Sequence, residues 1–277
     1  MARIAQGLRP VGLWVHPRIA ALTLCGVVLL LTLATRLPLM QEHLFSFDSV
    51  NLALSLREFD PAHHQPQPPG YPLFVAEARM VYWLAGTPER TFTVLKILIS
   101  SLSVILLFVL ARRMFPKWVG VAAAGLFFCN PVFWFVGLTS SLRLHLAMVT
   151  TLVAYCCWRA GSGEHRYFYA ASLALGLGSG FRPELCLFLL PLWLWTAWQC
   201  RGKRLLLPNA LLLLVATGSW IVALIIAYGG AGQMISSYHN YLLEQSQSVM
   251  AVAGGPGVEW RRMVGRAFLW NGLGVLP

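Results

Sequence analysis

Seven stretches of this chain stay apolar for so long that water cannot be their solvent. They cover about 19–38, 92–111, 118–138, 142–158, 167–182, 184–200 and 205–228. Each is close to the ~17–25 residues that an α-helix needs to cross a bilayer. Inside hydrocarbon every backbone N–H and C=O must be paired within the structure, and a helix does this by itself. Composition agrees: 57% of residues are hydrophobic and 11% charged, against roughly 25% charged in soluble domains. The expected fold is an all-α polytopic membrane protein in a single domain over 1–277.

The formal net charge of +11 does not point to nucleic acid. Its basic residues sit in short clusters between apolar runs, the pattern that orients membrane proteins. Arg3, Arg9 and Arg18 precede the first run, and Arg36-Leu-Pro38 follows it in place of a small-residue cleavage site. The first run is therefore expected to be retained as a helix and not removed as a signal peptide. With the N-terminus inside, Arg112 to Lys117, Arg159 to Arg166 and Arg201 to Arg204 all fall inside, and every acidic residue except Glu164 falls outside. A bacterial inner membrane, with the active side outside, is the expected setting. The six cysteines lie in or beside apolar segments without CxxC or metal-ligand spacing, which suits small buried hydrophobes.

That arrangement requires the segment 71–86, YPLFVAEARMVYWLAG, not to span. Glu77 and Arg79 near its middle would each cost ~2.5–3.5 kcal/mol at the bilayer centre. It is expected to lie in the interface, with Tyr71, Phe74, Tyr82 and Trp83 at headgroup depth. Two long external loops result, 39–91 and 229–262. The apolar run after Arg266 stops at Pro277, so the chain is expected to end inside an eighth helix.

Loop one reads FSFDSVNLALSLREFDPAHH before HHQPQPPGYP. Ser46 or Asp48 suits a helix N-cap, and Asp48, Asn51, Ser55 and Glu58 form a polar stripe at helical spacing. This predicts a short amphipathic helix on the outer surface. The prolines fix φ and remove N–H donors, so they exclude both helix interior and central strand. They are expected to shape the loop and hold Asp48 at the membrane mouth. Gly176, Gly178 and Gly180 do not fit a phosphate-cradling GxGxxG, and close helix packing is expected there instead.

An acid soon after helix one, a short amphipathic helix and then PPGYPLF (68–74) together resemble the GT-C superfamily of membrane glycosyltransferases. The likeness is to the branch near protein O-mannosyltransferases and aminoarabinose transferases, and GFRPE (180–184) is similar to a segment of bacterial relatives. Where many relatives carry an acidic–aromatic pair after the NP-x-FW region, this chain has Ser140-Ser141-Leu142-Arg143. The resemblance implies seven core helices, the start of an eighth and interfacial helices in loop one. It also implies a polyprenyl-phosphate-linked sugar donor, with inverting transfer to a lipid, glycan or protein hydroxyl outside the membrane.

Chemistry supports the same assignment. An attacking hydroxyl must lose a proton, and a positioned carboxylate such as Asp48 can take it. The departing phosphate needs cations or hydrogen-bond donors. Asn51, Glu58, Asp60, His63, His64, Tyr71, Arg143, Arg182, Glu184 and His239 form the candidate substrate-binding set, with Arg261 and Arg262 as further outward cations. No metal-ligand spacing is present, and the sequence leaves cofactors open. The alternative at this stage is a multi-pass transporter or lipid flippase, for which ionisable groups near the midplane and repeated halves would be expected. A non-catalytic subunit of the same fold is a third reading.

Overall fold

The computed structural model describes residues 17–40, 42–44, 46–200, 204–248, 264–266 and 268–269, without the side chains of 17–22 and 245–248. Its helices are α1 (Pro17–Arg36), α2 (Phe47–Ser55), α3 (Pro72–Ala85), α4 (Pro88–Met114), α5 (Lys117–Cys129), α6 (Pro131–Thr139), α7 (Ser141–Gly161), α8 (Arg166–Gly178), α9 (Glu184–Gln199), α10 (Leu206–Ala227) and α11 (Ala231–Ser248). Short 3-10 turns occupy Leu37–Leu39 and Pro61–His63. Arg261, Arg262 and most of the expected eighth helix lie outside the described residues.

Among the described residues α4, α7 and α10 are each long and apolar enough to cross a membrane, and α5–α6 make a fourth if the bent pair is one span. Two expected helices differ from the sequence reading. The stretch 118–138 is not one helix. It breaks at Asn130 and bends by 54°, because Pro131 starts a new helix and Asn130 caps it, its Oδ1 accepting the Phe133 N–H at 3.0 Å. The stretch 167–182 ends at Gly178, and α8 has 13 residues. With 16 residues in α9, both fall below the usual spanning length.

Packing runs in two connected groups. α4 contacts α1, α3, α5 and α7, while α8 contacts α7, α9 and α10. Val153, Phe168, Leu175, Leu189 and Trp193 lie in the core shared by α7, α8 and α9, with Leu213 joining from α10. One polar knot lies within it: Trp193 Nε1 donates to Ser172 Oγ at 2.8 Å, and that hydroxyl donates to Asn209 Oδ1 at 3.1 Å. Outward faces are apolar instead, with Phe188 73% and Val215 69% exposed, as side chains meeting lipid should be. At the end of α1, Arg36 is fully buried, its guanidinium 4.9 Å from the Phe133 ring centre and 5.7 Å from that of Phe128. The ring faces supply attraction to the cation.

Gly176 lets α8 and α10 touch. A Cβ there would lie 2.5 Å from Ala216 Cβ and 3.0 Å from the Leu213 carbonyl oxygen, so the helices would have to separate. The close-packing expectation for this glycine holds. Gly125 on α5 has nothing within 4 Å of a built Cβ. Gly176→Ala is expected to destabilise by about 1–3 kcal/mol through overpacking, while Gly125→Ala leaves stability level or slightly raised. Thermal unfolding in detergent compares the two.

Candidate active site at one end of the bundle

Asp48 is not a cap. Ser46 takes extended geometry and its Oγ accepts the Ser49 N–H at 3.3 Å, so α2 starts there and Asp48 stands exposed in the first turn. α2 ends at Ser55, which puts Glu58 beyond the helix and outside the expected stripe. Asn51 and Ser55 turn inward and are buried, while Phe47, Val50 and Leu54 are exposed. The helix therefore shows its apolar side outward, as an element lying against lipid does.

α3 holds α2 in place. Arg79 donates from Nε at 3.2 Å and Nη2 at 2.9 Å to the Ser55 carbonyl, one of the acceptors left over at a helix end. Glu77 reaches His145 Nε2 on α7 at 2.7 Å. Both charges that argued against a span at 71–86 thus have protein partners. Phe74 likewise departs from the headgroup expectation: it is fully buried, beside Tyr71, Phe92 and Leu142 in one core cluster.

Before α3 the elbow is packed, not solvated. Pro66, Gln67, Pro68, Gly70 and Tyr71 are buried, and the Gln65–Pro66 and Pro68–Pro69 bonds are cis. Gly70 has φ +101°, and a Cβ there would come 2.8 Å from Leu224 Cδ2 and 3.2 Å from Pro61 Cβ. Leu73 N–H donates to the Gly180 carbonyl at 3.3 Å, tying the elbow to the corner between α8 and α9.

Tyr71 is where the candidate groups meet. Its phenol is pushed up to about 12 by burial; nearby Arg182 opposes this, and Tyr241, Glu184 and Asp48 add to it. It therefore stays a hydrogen-bond donor at neutral pH. The Arg182 guanidinium lies 5.7 Å from the Tyr71 ring centre. Its Nε donates to Glu184 Oε1 at 2.7 Å and Nη2 reaches the same oxygen, which leaves Nη1 outside the pair. His64 approaches Tyr241 of α11 with ring centres 6.1 Å apart. Beside Asp48, Ser49 lines a narrow cleft of about 20 Å³ with Glu89, Lys96, Ser140 and Ser141.

Other expected residues stand apart. Asp60 caps the turn at Pro61–His63 and holds exposed His63 Nδ1 at 2.6 Å. Asp60 also acts on Tyr228, a phenol raised to about 12 first by burial. Glu58, Arg143 and His239 are exposed. Asn51 is buried on the inner side of α2. Among the described residues no three His, Cys, Asp or Glu side chains gather as metal ligands would. Sequence reasoning missed His145 and Arg79 as site residues. An ionisable residue inside an apolar helix was the available signal for His145.

The family model described as dolichyl-phosphate-mannose-protein mannosyltransferase matches residues 66–228. The chain belongs to that family. It is thus a mannosyltransferase-type glycosyltransferase of the GT-C superfamily and an integral membrane protein. No curated protein and no solved structure matches the chain. Within the span shared with the mannosyltransferase family lie Tyr71, Glu77, Arg79, His145, Arg182 and Glu184, whereas Asp48 and His64 precede it.

Arg79→Met should free the Ser55 carbonyl and loosen α2 without unfolding the bundle. A lost charge-assisted hydrogen bond of about 1.5–3 kcal/mol corresponds to roughly tenfold or greater acceleration of hydrogen exchange at α2 amides. Unchanged exchange would mean that α2 is held by something else.

Proposed function

We propose that this protein transfers a mannosyl-type sugar from a polyprenyl-phosphate-linked donor to an acceptor hydroxyl at the outer membrane face, with inversion and with Asp48 as general base. The observation that carries this is the Arg182 guanidinium over the buried Tyr71, held from its other edge by Glu184. The acceptor oxygen attacks the anomeric carbon from the side opposite the phosphate, and the bond from that carbon to the phosphate oxygen breaks. Its electron pair leaves with the phosphate, and the hydroxyl proton passes to Asp48. A single displacement of this kind inverts the anomeric centre.

Charge grows on the phosphate as that bond breaks, and donors placed in advance stabilise it. Arg182 supplies its Nη1 and its positive charge, while Glu184 fixes the guanidinium by the other edge. Tyr71 offers an O–H. The family description favours a protein acceptor, and lipid and glycan hydroxyls obey the same chemistry.

Seven crossings follow if α1, α4, α5–α6, α7, α8, α9 and α10 each span, with the membrane thinned beside short α8. The N-terminus then lies inside and the site outside, in a bacterial inner membrane. A transporter or flippase would place ionisable groups near the midplane. Here Tyr71 precedes α3, Arg182 lies between α8 and α9, and Tyr241 lies on the helix after α10. These are helix ends, which favours surface chemistry over passage.

The test is transfer of labelled mannose from polyprenyl-phosphate mannose in membranes carrying the full-length protein. Asp48→Asn should lose about 10²–10⁴-fold in rate, the usual worth of a general base, while accumulating normally. Arg182→Ala should also slow transfer, and Glu58→Gln should not. Undiminished transfer by Asp48→Asn would remove Asp48 from the mechanism.

A further inference from the structure

Glu77 and His145 take no part in the steps above, yet their geometry is tightly set. They come from α3 and α7. His145 is fully buried, and both of its ring nitrogens are engaged. Nδ1 lies 3.0 Å from the Ser141 carbonyl oxygen. A carbonyl can only accept, so Nδ1 carries a hydrogen. Nε2 lies 2.7 Å from Glu77 Oε2. One more proton must sit on that line, either as imidazolium facing carboxylate or as neutral imidazole facing carboxylic acid. In both forms the ring keeps the same orientation.

That orientation matters for what stacks on it. The Phe181 ring lies 4.5 Å from the imidazole and within 14° of parallel, and Phe74 meets it edge-on at 5.5 Å. The next residue is Arg182, whose guanidinium lies over Tyr71. The corner carrying Phe181 and Arg182 is short, and Gly180 in it accepts from Leu73 N–H. The imidazole is thus a flat support beneath the corner, tethered at both of its polar edges.

We propose that Glu77 and His145 are positioning residues: a hydrogen-bonded pair sharing one proton, which holds Phe181 in place and so presents Arg182 over Tyr71. The support of the corner stands on geometry alone, and its consequence for transfer rests on the function proposed above.

Substitutions separate a hydrogen-bond role from bulk packing. Glu77→Gln can donate an amide N–H to Nε2 while Nδ1–H stays on the Ser141 carbonyl, so the ring keeps its place. Glu77→Leu leaves a buried Nε2 without a partner, which is costly. The measurement is hydrogen exchange of the full chain in lipid nanodiscs, read at amides 180–185 and, as a control, at 149–153 inside α7. Glu77→Leu should speed exchange at the corner about tenfold or more and leave the control unchanged, and Glu77→Gln should match the wild type. His145→Phe keeps a ring against Phe181 but loses both tethers, and it should behave like Glu77→Leu. It serves as the test if Glu77→Leu does not accumulate. An unchanged corner overturns the proposal. So does equal acceleration at corner and control, or a corner as loose in Glu77→Gln as in Glu77→Leu.

Transfer rates then form a double-mutant cycle. If the pair acts through Arg182, Glu77→Leu combined with Arg182→Ala is no slower than Arg182→Ala alone. Additive losses overturn action through Arg182. Normal transfer by Arg182→Ala, beside a loosened corner in Glu77→Leu, would instead fail the function assigned to Arg182 and leave the support role standing.

Discussion

Gly70 takes a left-handed backbone so close to α10 that a Cβ would come within 2.8 Å of Leu224, and the candidate site is arranged around that contact. Any L side chain would be both strained and crowded there. The glycine lets the elbow press inward, so Tyr71 is buried and α3 starts at Pro72, a residue suited to the first helical position. From that start α3 makes polar contacts to three other elements. Arg79 holds the end of α2, Glu77 holds His145 on α7, and Leu73 holds the corner at Gly180. The groups proposed for chemistry sit on the elements so held.

Burying polar groups in a membrane protein needs partners close at hand, because lipid offers none. This chain supplies them across long sequence distances. Glu77 and His145 are 68 residues apart, and Lys96 donates to the Leu138 carbonyl at 2.8 Å across 42. Arg36 departs from the pattern: among the described residues its guanidinium nitrogens have no hydrogen-bond partner, and aromatic faces surround it instead. Two serines of α4 close locally, as Ser101 and Ser103 donate to carbonyls four residues back, an ordinary use of serine in apolar helices.

Much of this was legible in the residues, because the signals were local. Apolar runs located α4, α7 and α10 to within a few residues. Asp48 stood out as an acid just past the first helix, and Arg182 and Glu184 stood out as charges between two apolar runs. Local signals were also present where the reading failed. Asn130-Pro131 is a helix start, and it was passed over because the hydropathy continues through it. Ser179 to Pro183 form the corner, where the apolar run hid the helix end. Glu77 and His145 each stood out as ionisable residues in apolar stretches, but their pairing and the burial of Phe74 had no local signal. They depend on which helices pack together, and a single sequence does not print that. Loop one carried the family likeness, yet Asp48 precedes the matched span 66–228. The role proposed for it therefore rests on chemistry and on its electrostatic influence on Tyr71.

The most direct test of the central claim is a structure of the full-length protein in nanodiscs with a non-hydrolysable polyprenyl-phosphonate mannose bound. The account predicts the phosphonate within hydrogen-bond distance of Arg182 and the Tyr71 hydroxyl. The anomeric carbon should then face Asp48, with room for one acceptor oxygen between them. A phosphonate seated elsewhere, for example against Lys96 with Arg182 and Tyr71 uninvolved, would contradict it.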